Sequence, residues 1–244
     1  KVVGAGHSFT SAAMTDGVLL SLDKVKAVES IDSATGRITV GAGMRLTELN
    51  KVLDGAGLAM PNLGDIAYQS IAGATATATH GTGADLGNLA TTIVGMEIVD
   101  GRGQRIWCDE TERPELLRVA RVGVGALGII TRVTLQCMPA FDLRATESIE
   151  SLDDLLESFG DDVAANDHFE FFWMPGARRC QVKCNNRTAD PREPESRMTY
   201  FRNKILTENI AAGLVVKVGA RFPSAAPRIG ELAGGDMRSA LVAR

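Results

Sequence analysis

Gly123-Val124-Gly125-Ala126-Leu127-Gly128 is a literal G-x-G-x-x-G, and what stands on either side of it decides the fold. In a doubly wound dinucleotide-binding unit this turn follows a strand and opens a helix, so that a pyrophosphate rests on the helix N-terminus. Here the order is reversed. Pro114 in a first turn predicts a helix over 115–121 ahead of the glycines, and 129–136 reads as the strand after them. No acidic residue stands about twenty positions further on at the end of a second strand. The turn reads as a tight helix-to-strand connection needing positive φ, and NAD binding there is rejected.

The neighbouring sequence repeats that irregular rhythm. Residues 1–3 read as a strand end, 18–22 as a short strand, and 26–32 with 37–40 as a hairpin. Leu46, Leu49, Val52 and Leu53 fall at helical spacing within 45–56. A second hairpin joins 92–99 to 104–107. Hairpins alternating with helices, without a steady strand–helix–strand order, predict an α+β fold. Pro139 is the expected domain boundary, giving domains 1–138 and 139–244. Glycine dominates before it; an acidic helix (151–159), an aromatic strand (168–173) and a charged loop (187–196) come after. Phe169, Phe171, Phe172 and Trp173 are expected in the sheet core.

Composition narrows the function. The chain has 244 residues, 45% apolar and 23% charged, with net charge −4, which suits a globular protein of one large or two small domains. It lacks the dense Lys/Arg stripe of a nucleic-acid binder. Its longest apolar stretches fall well short of the ~20 residues a membrane span needs. Four cysteines make no disulfide scaffold and point to a reducing compartment. Cys180 and Cys184 have only His168 nearby, too few ligands for a metal.

Two further loops could hold an anion. Gly4 and Gly6 remove side chains after the first strand, so backbone N–H groups can approach a phosphate, and Ser8 and Thr10 add hydroxyls. Between Gly73 and Gly83 alanine alternates with threonine; extended, Thr75, Thr77 and Thr79 would share one face. That file could line a pyrophosphate or be a strand of good β propensity. Two such loops without the doubly wound order point to FAD held in another fold.

Val3-Gly4-Ala5-Gly6-His7-Ser8-Phe9-Thr10, Asn62-Leu63-Gly64-Asp65-Ile66, Ser70-Ile71-Ala72-Gly73 through Thr79-His80-Gly81-Thr82-Gly83, Gly125 to Thr131 and Phe169-Glu170-Phe171-Phe172-Trp173 occur in one order. Together they resemble the vanillyl-alcohol-oxidase-type (PCMH-type) flavoproteins, most closely the sugar-1,4-lactone oxidases. The resemblance implies an FAD-binding PCMH-type domain, incomplete at its N-terminus, followed by the first part of an α+β lactone-oxidase domain. It makes His7 the covalent FAD attachment, Gly4, Ala5, Gly6 and Ser8 the pyrophosphate loop, and Phe9 a further cofactor-binding position. Ser70, Gly73, Thr77, Thr79, His80, Gly81 and Thr82 match the second cofactor loop, and Ile129 the position whose backbone meets the adenine side. Gly64 matches a position beside the flavin where alanine restricts oxygen in dehydrogenases. Asp65 departs from the serine of alditol oxidase and on its own would cap a turn.

The implied activity is FAD-dependent oxidation of a gulono- or arabinono-lactone by hydride transfer to the flavin, with O2 as acceptor and H2O2 as product. The alternatives are a dehydrogenase with a cytochrome or quinone as one-electron acceptor, an alditol-oxidase-like activity on a polyol, or a catalytically incomplete flavin-binding fragment. The family's catalytic Glu and Arg match no position here, so no catalytic residue is named. No metal and no nucleic-acid partner is expected. A cytoplasmic location is expected, with peripheral membrane association as the other option.

Overall fold

The computed structural model describes residues 1–8, 10–192, 217–218, 220–222 and 239–243. The chain divides into two compact units, Lys1–Thr82 with Leu86–Ala140, and Gly83–Asp85 with Phe141–Arg244.

The first unit starts with β1 (Val2–Val3) and β2 (Leu20–Ser21), which pair in parallel. A hairpin of β3 (Val28–Asp32) and β4 (Arg37–Gly41) follows, then helix α1 (Leu46–Gly55), the short β5 (Leu58–Ala59) and helix α2 (Ile71–Ala76). β6 (Ile93–Val99) and β7 (Arg105–Asp109) form the second hairpin, and α3 (Pro114–Ala120) leads through the glycine turn into β8 (Ile129–Gln136) and β9 (Met138–Pro139). The five longer strands make one antiparallel sheet in the order β3-β4-β8-β6-β7.

Alternation along these strands turns Ile38, Val40, Met96, Ile98, Val133 and Leu135 to one side, all essentially buried. They share a single core with Leu46, Leu49 and Leu53 of α1, the residues at helical spacing. The reversed setting of the glycine hexad is real: α3 precedes it and β8 follows. Gly125 sits at φ +72° and Gly128 at +135°, so the turn uses backbone conformations closed to most side chains.

The second unit is antiparallel. β10 (Asp142–Ser151), helix α4 (Leu152–Ala165), β11 (His168–Phe172), β12 (Arg179–Thr188) and β13 (Ser239–Ala243) give a sheet in the order β11-β12-β10-β13. β10 and β12 stay in register over ten residue pairs. Helix α4 packs on one face through Leu155, with Phe159 edge-on to Phe169 at 5.8 Å and to Phe171 at 6.1 Å.

Three expectations need correction here. The acidic helix runs six residues past Phe159, because Gly160 is tolerated and Val163 rejoins the apolar face. The aromatic strand is only half core. Alternation buries Phe169 and half-buries Phe171, while Phe172 and Trp173 are 54% and 44% exposed. The charged loop was expected over 187–196; β12 takes its first two residues, and positions from 193 on lie outside the described residues.

Candidate functional site

A cavity of about 170 Å³ opens in the first unit between the 4–8 loop, helix α2 and the glycine turn. The loop leaves β1 and crosses α2 at close range. A Cβ on Gly4 would lie 2.1 Å from Ser70 Oγ and 3.8 Å from Gly73 Cα, so only hydrogen fits there. Gly6 adopts φ +72° and would meet nothing within 4 Å, which leaves its backbone open to the cavity. His7 is half-buried on the wall, and Ser8 is exposed. Thr10 closes the loop by accepting a hydrogen bond from the Ala12 N–H at 3.3 Å.

Helix α2 forms because Ser70 caps it, its Oγ accepting from the Gly73 N–H at 3.3 Å, and because alanine suits a helix. The expected extended file of hydroxyls is therefore absent. Thr75 is buried and donates to the Ile71 carbonyl, and Thr77 donates to the Gly73 carbonyl. Thr79, beyond the helix, accepts from Gln69 Nε2 at 3.1 Å. Wound into a helix, these threonines leave the small residues Ala72, Gly73 and Ala76 on the cavity wall. A ligand there can come close to backbone.

The glycine hexad and the strand after it supply a further part of the wall. Val124, Gly125, Gly128 and Ile130 line the cavity, and the Val124 N–H donates to the Ala76 carbonyl at 3.3 Å. Reading the hexad as only a turn missed this part. Its sequence signal was present, in the wrong order for a helix N-terminal site but in the right composition for close backbone approach.

The cavity thus gathers Gly4, Ala5, Gly6, His7, Ser8, Ser70, Gly73 and Thr77 from the residues named on sequence grounds. Gly64, Asp65, Thr79, His80, Gly81, Thr82 and Ile129 do not line it, though Ile129 lies between two residues that do. Phe9 lies outside the described residues. Gly64, His80 and Gly81 make their own seam: a Cβ on Gly64 would fall 3.0 Å from the His80 carbonyl oxygen, and one on Gly81 2.3 Å from the Leu63 oxygen.

A family model described as an FAD binding domain matches residues 1–109, and one described as D-arabinono-1,4-lactone oxidase matches 133–241. An L-gulono-1,4-lactone dehydrogenase from Mycobacterium tuberculosis is 39% identical over 99% of this chain and 56% of its own length. The chain is similar to the FAD-linked sugar-lactone oxidases and dehydrogenases. An L-gulonolactone oxidase from Mus musculus is 34% identical over 82% of this chain and 45% of its own length. A D-arabinono-1,4-lactone oxidase from Candida glabrata is 32% identical over 82% and 38%. The chain thus spans about half the length of the curated relatives it matches. The crystal structure of cholesterol oxidase from B. sterolicum shares the fold, with TM-score 0.78 at 20% identity over 96% of this chain and 49% of that one.

The cavity fits the cofactor that the FAD binding domain implies. Glycine and alanine form about half of its lining, so backbone N–H groups can come close to a pyrophosphate; Ser8, Ser70 and Thr77 add hydroxyls, and His7 stands among them. No helix of the described residues is long and apolar enough to cross a membrane.

Proposed function

We propose that the protein of which this chain forms part oxidises a sugar-1,4-lactone of the gulono- or arabinono- type, with O2 as the final acceptor and H2O2 as product. The observation that carries this is the glycine- and alanine-rich cavity around His7, most of whose lining falls in the matched FAD binding domain, followed along the chain by a matched lactone-oxidase segment. Bound FAD would supply a hydride acceptor for the substrate carbon. The chain's own residues do the rest. Gly4, Ala5, Gly6 and Ser8 offer backbone and hydroxyl donors to the pyrophosphate. His7 tethers the flavin covalently, which prevents cofactor loss. Ser70 caps α2, and its Oγ fills the space beside Gly4 where the loop passes the helix.

Residues 1–138 are the flavin portion in this reading and 139–244 the start of the substrate portion; the compact units part at Ala140 and Phe141. Gly64 favours oxygen as acceptor in this reading, because a glycine adds no side chain of its own to a seam where the His80 carbonyl already stands 3.0 Å from where a Cβ would sit. A second reading has support of its own. The relative that matches over 99% of the chain is named a dehydrogenase, which favours a cytochrome- or quinone-like acceptor. We place the protein in the cytoplasm, with peripheral membrane association where the acceptor is a quinone.

Acid precipitation of the intact protein tests the tether: the pellet stays yellow, and His7→Ala releases the flavin to the supernatant. A colourless wild-type pellet would refute it. Turnover on lactones against open-chain alditols, with flavin reoxidation followed in air and with cytochrome c, tests the substrate class and separates the two acceptors.

A further inference from the structure

Asn62 lies outside the cavity lining and outside the cofactor positions named above, yet it is 5% exposed. Its Nδ2 donates to the Gly87 carbonyl at 3.4 Å. Its Oδ1 is buried and has no hydrogen-bond partner among the described residues. That oxygen occupies the space a side chain at position 81 would need, 2.1 Å from where a Cβ on Gly81 would sit. Segments 62–64 and 80–81 therefore meet backbone to backbone, with the Asn62 amide in the gap.

A second orphan flanks the same segment. Asn88 Oδ1 is also buried without a partner among the described residues, and the next residue, Leu89, donates its N–H to the Thr79 carbonyl at 2.9 Å. Two amide oxygens left open around 79–81 bear a desolvation cost with no return. Folded proteins seldom keep such groups unless something else supplies a donor.

We infer that Asn62 is a positioning residue for the cofactor: its Oδ1 receives a hydrogen bond that forms only on loading, from a backbone N–H of the 80–82 segment as that segment settles against FAD. Nδ2 meanwhile holds the far end of the loop through Gly87. The inference rests on the FAD reading of this domain. It makes an asymmetric claim, since removing the Asn62 amide costs the loaded protein more than the unloaded one. A purely structural contact would cost both states equally.

The test uses the intact protein in a His7→Ala background, where loading is reversible whether or not the native link is covalent. FAD affinity, melting temperature with and without FAD, and the visible flavin spectrum are measured. Asn62→Ala is expected to weaken FAD binding about three- to tenfold, the worth of one neutral hydrogen bond, and to move the flavin bands. The unloaded melting temperature falls only by the loss of the Gly87 bond, and the loaded one falls further. Asn62→Asp, which keeps an acceptor over Gly81, loads more tightly than Asn62→Leu, which keeps only bulk; this pair decides the matter if Asn62→Ala does not fold. Equal losses in loaded and unloaded protein, or Leu loading as well as Asp, overturn the inference while the FAD reading stands. A parent that takes up no FAD overturns both.

Discussion

Replacing Gly4 by alanine perturbs the cavity at its tightest point. Gly4 is not among the glycines held at positive φ, so the requirement there is space alone. The new Cβ would lie 2.1 Å from Ser70 Oγ, whereas the next atoms, Ser70 Cβ at 3.4 Å and Gly73 Cα at 3.8 Å, are ordinary contacts. Ser70 Oγ is the one atom that must move. Moving it abandons the cap on the Gly73 N–H, and a lost serine cap costs about 1 kcal/mol. In a chain of this size that lowers the melting temperature by about 2–4 °C. Ser70→Ala loses the same cap without any clash and should cost about the same. The double variant has neither the cap nor the obstacle, so its loss should stay near about 1 kcal/mol, with a coupling energy of similar size. Melting temperatures of the four proteins, at matched flavin loading, close the cycle. If the two single losses simply add, Ser70 Oγ is not what confines Gly4, and the account of how the loop seats on α2 is wrong.

Gly128→Ala should be more damaging, because φ is +135° there and the new Cβ would meet the Val99 carbonyl at 2.4 Å, a backbone atom that cannot swing aside. Strain of this kind costs about 1–3 kcal/mol before the clash is counted, so its melting temperature should fall below that of Gly4→Ala. Phe159→Ala removes two edge-on ring contacts on α4 and should cost about 1–2 kcal/mol, while Leu156→Ala, on a more exposed position of the same helix, should stay within about 0.5 kcal/mol in urea unfolding. Burial pushes the His168 imidazole below its ordinary value, with Asp167 and Glu170 opposing and Arg187 adding to the fall. The unfolded chain takes up that proton as the pH drops through about 6.5, and the folded one only at lower pH. The unfolded state thus binds more protons across the interval, and stability falls as pH falls below that point. His168→Gln should flatten the decline in melting temperature between pH 7 and the acid side, and an unchanged slope would refute the role of burial.

Much of the fold was legible because the signals were local. Leu46, Leu49, Val52 and Leu53 sit at helical spacing and form α1; the Ser33–Gly36 turn and the Asp100–Gly103 turn each close a hairpin at the expected place. The Thr-Ala run was misread because alternation has two meanings. In a strand it sorts residues by face, but here Ser70 stands ready to cap, and small residues accept a helix as easily. Burial of Thr75 and the packing of Gly4 on Ser70 settle the choice, and both depend on chain distant in sequence.

Order along the chain was enough to name the cofactor domain, to set His7 in a glycine loop and to reject a doubly wound sheet, since a helix precedes the hexad. That the hexad, dismissed as a turn, lines the same cavity as the His7 loop became visible only in the folded chain. It alone set Gly64 and Gly81 backbone to backbone around the Asn62 amide. Those facts concern which atoms lack room for a Cβ and which polar atoms lack a partner, and neither can be counted until the chain has closed on itself.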